Sequence, residues 1–325
     1  MDTVKPIFLF CLPRSGSTLL QKLIGTQSQV QTVSEPWLML PLVYSRRKRG
    51  AVSEYSHQLA SVGINDLIDH FPNKRDDFED ELAEFVKSLY GKTMDDDHQF
   101  FLDKTPRYYF IIDEIMSIFP DGKFVFLFRN PIEVFASVLN SWYEGRLRFE
   151  NHYQDLYRGP KCLADGFRKH RQRSIRVNYA EITESPEEAC GKIFDYLDLD
   201  ADMQKVREWN DTELQGHWGD KQGKQYDQIS QDPHEKWKRV FDTSYRQRVL
   251  QDYLEFFDPE VFDAFGYEKH DLIERVQQLD VREQIGLADR LDLILTNLHQ
   301  VFDKSLIKDK FKRKLESIPF LQRYS

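Results

Sequence analysis

Cysteine and positive charge are both scarce in this sequence. Among 325 residues there are only three cysteines, Cys11, Cys162 and Cys190, which are widely spaced and odd in number. This pattern argues against a disulfide framework and against a zinc site, so we expect three reduced thiols. The 45 Lys and Arg residues are outnumbered by 54 Asp and Glu residues, which gives a net charge of −9. Nucleic acid is therefore not an expected partner, and any anionic ligand must be bound by local basic groups.

Long apolar runs are also missing. No stretch approaches the roughly 18 apolar residues that a membrane helix needs, so no integral membrane segment is expected. The short apolar run before Pro13 lacks a small-residue cleavage site, which argues against a signal peptide. We therefore expect a cytoplasmic location. The acidic run 95–97 is expected to be a solvated loop, and no metal site is predicted.

Short apolar segments alternate with helical patterns along the first 200 residues. Those with the length and composition of buried strands are 5–12, 100–102, 123–128 and 174–179. Their alternation predicts an α/β fold: a doubly wound parallel sheet of the P-loop nucleotide-binding type, flanked by helices. The polar regions 145–173 and 204–239 lack periodicity and are predicted to be loops. From 271 an apolar helical stripe indicates a C-terminal helical extension, so we predict a domain at 1–270 and an extension at 271–325.

The first predicted strand ends in the loop Pro13-Arg14-Ser15-Gly16-Ser17-Thr18. A loop between a buried strand and a helix presents unpaired backbone N–H groups at the positive end of the helix dipole. Its glycine allows close backbone approach, its hydroxyl groups can donate, and Arg14 supplies a forked cation, so phosphate or sulfate is the expected ligand. The alternative is a turn whose Ser and Thr only cap the helix. The ATPase signature G-x-x-x-x-G-K-[ST] is absent, which disfavours a nucleotide hydrolase.

A second loop of this kind follows the strand 123–128. Arg129 lies at the strand end, and Ser137 lies eight residues later, two turns into the next predicted helix. The pair could bind a second anion, although an arginine paired with a carboxylate is the alternative. In a doubly wound sheet, ligands bind beyond the carboxyl ends of the strands, so both loops are expected to line one crevice.

These two loops resemble the phosphate-binding motifs of sulfotransferases that use 3′-phosphoadenosine 5′-phosphosulfate (PAPS). Weaker similarity continues through Tyr179, the segments 217–220 and 235–237, and Phe265-Gly266-Tyr267, so that it covers about residues 5–268. The resemblance implies that Arg14 to Thr18 bind the 5′-phosphosulfate, that Arg129 and Ser137 bind the 3′-phosphate, and that Tyr179 lies near the nucleoside. Adenosine 3′,5′-bisphosphate (PAP) would be the product. Arginine in the first loop is most similar to tyrosylprotein sulfotransferases and their bacterial relatives.

The sequence departs from the aryl sulfotransferases at the catalytic base. Their Lys-Thr-His motif is replaced by Lys104-Thr105-Pro106, so the histidine is missing. The tyrosylprotein group has a glutamate about twenty residues after the first loop, and Glu35 lies 21 residues after Arg14. By this resemblance Glu35 would be the general base, and Lys104 would stabilise charge on the departing phosphate. The alternatives are a water-exposed Glu35 in a Glu-Pro turn and a surface Lys104 paired with Asp103.

The acceptor stays open at this point. A hydroxyl on a small molecule, a lipid or a carrier-bound chain is favoured over protein tyrosine, and Trp142, Tyr143, Phe149 and Tyr153 could line an apolar acceptor pocket or pack in the core. Arg46 to Arg49, His217 and the basic segment 304–314 have no assigned role, and a homodimer is possible. A small-molecule P-loop kinase and a non-catalytic nucleotide-binding protein are the alternative functions.

Overall fold

The computed structural model describes residues 4–209, 214, 235–283 and 286–301. The strands are β1 (Lys5–Phe10), β2 (Val30–Thr32), β3 (Phe100–Asp103), β4 (Lys123–Phe128) and β5 (Ser174–Asn178). The α-helices are α1 (Ser17–Gly25), α2 (Met39–Tyr44), α3 (His57–Ile68), α4 (Arg75–Gly91), α5 (Ile112–Ile118), α6 (Pro131–Tyr143), α7 (Gly159–His170), α8 (Tyr179–Glu184), α9 (Pro186–Leu197), α10 (Met203–Arg207), α11 (Lys236–Val240), α12 (Ser244–Glu255), α13 (Pro259–Phe265), α14 (Lys269–Gln277) and α15 (Leu287–Val301). Residues 217–220 and 304–314 lie outside the described ranges.

The five strands form one sheet in the order β2-β3-β1-β4-β5, and every pairing is parallel. This confirms the predicted α/β fold and the four predicted strands. β2 was not predicted, because it is only three residues long and Val30 alone is buried. In this order β1 lies between β3 and β4, so the loops at the carboxyl ends of all three strands meet at one edge.

Helices cover both faces of the sheet. Alternate residues of a strand point to opposite faces, so that Phe8 and Phe10 of β1 belong to one buried cluster and Ile7 and Leu9 to another. The continuous apolar sequence of β1 is explained by this burial on both sides.

The end of β5 differs from the sequence prediction by one residue. Asn178 accepts a hydrogen bond from the Ala180 N–H, and Glu181 accepts one from the Asn178 N–H, which together form a capping box. Tyr179 therefore begins helix α8 and lies at the carboxyl edge of the sheet.

The region 145–173 is mostly helical, so the prediction of a loop was wrong. It contains the short helices Glu150–His152 and Gln154–Arg158, followed by α7. Phe167 of α7 packs against Phe126 and Phe128 of β4 with ring centroids 5.5 and 5.4 Å apart. Two glycines of α7, Gly159 and Gly166, also lie against Leu12 and Ile112, so part of the buried face of this helix is made by small residues that give no apolar pattern in the sequence.

α15 confirms the predicted helix, but its apolar stripe points outward. Leu287, Leu291 and Ile294 are exposed, whereas Asp289 and Asp292 are buried. The cause is ion pairing, because Arg246 binds Asp289 and Arg146 binds Asp292. The domain boundary predicted at 270 falls within α14 and stays a prediction. Among the described residues, no helix combines the length and the apolar character needed to span a bilayer.

Candidate active site at the carboxyl edge of the sheet

The loop between β1 and α1 is tightly turned. Arg14 and Gly16 have positive φ angles of 64° and 90°. Gly16 is the N-cap of α1, and a Cβ atom there would lie 2.2 Å from Cδ2 of Tyr179. Glycine is therefore required by both the backbone conformation and the neighbouring ring. Because the N-cap residue has no side chain, the alternative in which Ser or Thr caps this helix is wrong.

The serines of this loop have different surroundings. Ser15 is buried, and both its hydroxyl group and its N–H donate to the Leu12 carbonyl, at 2.7 and 3.3 Å. Ser15 thus fixes the shape of the loop. Ser17 and Thr18 begin α1, where backbone N–H groups lack partners within the helix. The loop can therefore offer an anion the N-terminus of α1 together with Arg14.

The loop between β4 and α6 contacts the first loop directly. Arg129 Nη1 donates to the Arg14 carbonyl at 3.0 Å, and Arg14 Nε donates to Ser137 Oγ at 3.2 Å. The guanidinium carbon of Arg129 lies 4.3 Å from the ring centre of Tyr179. Arg129 Nε also donates to Glu133 at 3.0 Å, so the carboxylate pairing considered from the sequence is present. The structure brings Arg14, Arg129, Ser137 and Tyr179 together.

The third element of the site is an ion pair between Lys104 and Glu35. Lys104 Nζ donates to Glu35 Oε1 at 2.8 Å, and the two side chains are only 1% and 14% exposed. Trp37 Nε1 donates to the other carboxylate oxygen at 3.3 Å. Neither alternative from the sequence holds, because Glu35 is not water-exposed and Lys104 is not a surface residue.

Cys11 lies between this ion pair and the first loop. Burial raises the pKa of the Cys11 thiol to about 11, while the charge of Lys104 and the hydroxyl groups of Ser17 and Ser15 lower it. Cys11, Cys162 and Cys190 are all unpaired in the structure, Cys11 and Cys190 in the buried core and Cys162 half-buried.

A sulfotransferase family model matches residues 6–203 of this sequence. The chain belongs to the sulfotransferase family. It is 30% identical over 145 residues to the nodulation protein NoeE of Sinorhizobium fredii, an alignment that covers 43% of this chain and 33% of NoeE. The chain thus spans about a third of the length of that curated relative.

Solved sulfotransferase structures share the fold. The sulfotransferase domain of the Synechococcus olefin synthase is 19% identical with a TM-score of 0.53, and the match covers 82% of this chain and 97% of that domain. The sulfotransferase domain from the curacin biosynthetic pathway is 16% identical with a TM-score of 0.50, covering 78% and 98%. At these identities the matches show a common fold, whereas the family model confirms the resemblance seen in the two loops.

The segment that carries the candidate sulfotransferase base is held by residues that the sequence did not reveal. Gln21 of α1 donates to Thr32 Oγ1 at 2.8 Å, to the Val33 carbonyl at 2.7 Å and to the Ser34 carbonyl at 3.0 Å. Gln21 is fully buried. A glutamine inside the apolar stripe of α1 was the available signal, because buried polar side chains are almost always hydrogen-bonded.

Asp103 is a second residue that the sequence did not single out. Its carboxylate is fully buried and accepts hydrogen bonds from Tyr90, Tyr108 and Thr105. Burial raises the pKa of Asp103 to about 6, although the three hydroxyl groups and Lys104 act in the opposite direction.

The aromatic residues proposed for the acceptor pocket separate into core and surface. Phe149 is buried and packs edge-on against Phe135, so it belongs to the core. Trp142 is 44% exposed, stacks on His152, and lies with its ring centre 5.7 Å from the Arg14 guanidinium carbon. Tyr153 lines a cavity of about 300 Å³, together with Tyr157, Arg158, Lys161, Phe256, Phe257, Asp258 and Val261. Trp142 is thus placed beside Arg14 of the first loop.

The basic run 46–49 begins with residues engaged in structure. Arg46 pairs with Glu79 at 3.3 Å, and Arg47 pairs with Glu114 and donates to the Phe110 carbonyl. These contacts anchor the segment before α3 to α4 and α5.

Proposed function

We propose that this protein transfers a sulfuryl group from PAPS to an acceptor hydroxyl and releases PAP. The observation that carries the proposal is that two basic loops and the buried Lys104–Glu35 pair converge at one edge of the sheet. Membership of the sulfotransferase family supports it. PAPS carries a phosphate at its 3′ position and a phosphosulfate at its 5′ position, and the bond that breaks lies in the phosphosulfate. The two basic loops and the adjacent ion pair match these charges.

The residues present fit the charges of PAPS. Arg14 and the N-terminus of α1 would bind the 5′-phosphosulfate. The loop keeps this shape because Gly16 packs against the Tyr179 ring, which leaves no room for a larger residue at position 16. Arg129 and Ser137 would bind the 3′-phosphate, since a guanidinium group and a hydroxyl group both donate to phosphate oxygens. Tyr179 would lie beside the nucleoside.

Glu35 would act as the general base. As the acceptor oxygen attacks sulfur, a new S–O bond forms, and the bond from sulfur to the bridging phosphate oxygen breaks. Glu35 takes the acceptor proton, and PAP departs with the electron pair on its 5′-phosphate. Lys104 stabilises this developing charge as its ammonium group shifts from Glu35 toward the departing oxygen. Arg14 and Lys104 together supply positive charge, so the proposal assigns no step to a metal.

The acceptor is proposed to be a small molecule, a lipid or a carrier-bound chain that bears a hydroxyl group. Exposed Trp142, close to Arg14, supports an acceptor with an apolar part. A screen of such acceptors with radiolabelled PAPS would identify the class. The cytoplasmic location is part of the proposal and is supported by the three free cysteines.

Thermal melting tests the donor assignment. PAP should raise the melting temperature, whereas ATP with magnesium should not. Arg129→Ala should abolish most of the shift with PAP, because it removes a nearly buried cation from the donor site. Stabilisation by ATP and magnesium alone would contradict the proposal and favour a kinase.

We propose further that the protein forms a homodimer through α15. Leu287, Leu291, Ile294 and Leu298 are exposed on α15 with alternating spacings of four and three residues, the pattern with which helices pair along an apolar seam. The neighbouring aspartates point inward, so two copies of this stripe can meet without repulsion between carboxylates. Light scattering should show a dimer that Ile294→Glu converts to a monomer; a monomeric wild type would contradict this assignment.

A further inference from the structure

Asp103 is fully buried, and its carboxylate accepts hydrogen bonds from three hydroxyl groups. Tyr90 and Tyr108 donate to Oδ2 at 2.6 and 2.9 Å, and Thr105 donates to Oδ1 at 3.4 Å. The side chain is 0% exposed. An ionised carboxylate can only accept, so it determines where each of these hydroxyl protons points.

Two of the three hydroxyl groups also accept hydrogen bonds from one backbone segment. Tyr108 OH accepts from the Met39 N–H at 3.1 Å, and Thr105 Oγ1 accepts from the Trp37 N–H at 3.2 Å. A hydroxyl group has one proton, so donation to Asp103 turns its lone pairs toward the backbone N–H. Tyr90 has no such second bond to residues 37–39 among the hydrogen bonds of the described residues.

The segment held in this way carries the Glu35 contact. Trp37 has a φ of 55°, an uncommon conformation for a residue other than glycine, and its indole N–H donates to Glu35. Lys104 lies next to Asp103 in the chain and donates to the same carboxylate of Glu35. Both groups that contact Glu35 therefore depend on the geometry around Asp103.

We propose that Asp103 is a positioning residue for the reaction. Its carboxylate orients the hydroxyl groups of Thr105 and Tyr108, which hold the backbone at Trp37 and Met39 and so place Glu35 against Lys104. This inference rests on the proposed function of Glu35 and Lys104. A carboxylate suits this position because both of its oxygens accept hydrogen bonds. Asparagine would place a donating –NH₂ group where one oxygen now lies, and Thr105 or the tyrosines would then have to reverse the direction of a hydrogen bond.

The arrangement gives the site a defined pH dependence. The titratable groups that face Asp103 are Tyr90 from α4, Tyr108 from the 3₁₀ helix Pro106–Phe110 that follows β3, and Lys104. Burial raises the pKa of Asp103 to about 6. Below that pH a protonated Asp103 donates its own proton, one hydroxyl group must reverse, and the hold on residues 37–39 weakens.

Asp103→Asn in the full chain tests the role. With an acceptor found in the screen, kcat should fall about tenfold or more, because small displacements of a base are costly. The Kd for PAP should stay within about twofold of the wild type. The acid limb of the kcat profile near pH 6 should disappear in the variant. Unchanged kcat and an unchanged acid limb would overturn the proposal.

Tyr108→Phe and Tyr90→Phe form a matched pair, because both remove a hydroxyl group that donates to Asp103 Oδ2. Only Tyr108 also holds the backbone at Met39. We expect Tyr108→Phe to lower kcat several-fold and Tyr90→Phe to leave kcat at high pH unchanged while lowering the melting temperature. Equal losses of kcat in both variants would mean a general structural role and would overturn the proposal.

A measurement without substrate separates this inference from the proposed function. The indole N–H resonance of Trp37, assigned with Trp37→Phe, should titrate near pH 6 in the wild type and stay constant in Asp103→Asn. Absence of this titration in the wild type would overturn the role of Asp103. Absence of sulfuryl transfer in a wild type that shows the titration would instead overturn the proposed function.

Discussion

Two of the ion pairs buried within the described part of the chain use different chemistry. Under α15, Arg246 binds Asp289 through two parallel hydrogen bonds, both 2.8 Å long. At the sheet edge, Lys104 and Glu35 meet through a single hydrogen bond between Nζ and Oε1. A bidentate guanidinium pair has a fixed geometry, whereas an ammonium group can turn toward a new partner. The comparison indicates that the first pair is an anchor and that the second can exchange partners during a reaction.

Glu35→Gln should have the largest effect and should act on turnover. The amide cannot take the acceptor proton, so we expect kcat to fall about 10²- to 10⁴-fold. PAP binding, measured by thermal shift, should be nearly unchanged, because Glu35 contacts Lys104 and Trp37 but is assigned to neither phosphate. Unchanged turnover would contradict the assignment of Glu35 as the base. It would indicate that the ion pair of Glu35 with Lys104 is structural, like that of Arg246 with Asp289.

Arg246→Ala should act on stability instead. It leaves Asp289 buried without its guanidinium partner, which costs about 3–5 kcal/mol when a buried pair is broken. Denaturant unfolding should show the loss, while the Kd for PAP in the folded protein stays close to the wild-type value. A large change in PAP binding would contradict the separation of the two regions.

Asp103 should make stability fall as pH rises. Its folded pKa of about 6 exceeds the ordinary value of 3.8, so the folded state binds more protons than the unfolded state between these values. The contribution is complete below pH 3.8 and is lost as pH rises through 6, with a size of about 3 kcal/mol. Unfolding of the wild type and of Asp103→Asn at pH 4 and pH 7 measures the difference. Parallel changes in the two proteins would contradict it.

Arg207→Ala should have the smallest effect. Its pair with Glu187 also has two hydrogen bonds, at 2.8 and 3.1 Å, but both side chains are exposed. Water screens and replaces such a contact, so the melting temperature should change little. A loss as large as that in Arg246→Ala would show that the bidentate geometry, rather than burial, makes the anchor.

Local sequence was sufficient to predict most of the sheet. β1 and β4 are continuous apolar runs, and such runs form strands that are buried on both faces. β2 was missed because three residues give no pattern, and α7 was missed because its buried face includes the small residues Gly159 and Gly166, which give no apolar periodicity. The stripe on α15 predicted a helix correctly, but its direction depended on Arg146 and Arg246, which are remote in sequence.

In the candidate site, too, some features could be predicted from the sequence and others could not. Arg14, Arg129 and Ser137 could be predicted to meet, because loops at the carboxyl ends of neighbouring parallel strands share one edge. The stripe of α1 marked Gln21 as a buried polar residue, but the partners of Gln21 and Tyr90 could not be predicted, because they lie on other elements and neither residue belongs to a motif.

The sequence by itself determined the alternation of strands and helices and the basic, glycine-containing loop after β1, since these depend on neighbouring residues. Only the tertiary structure decided that Lys104 is buried against Glu35 and that α15 turns its aspartates inward. The physical reason is that the energy of a charge depends on its distance from a partner and on its exclusion from water, and both are set by residues far away in the chain.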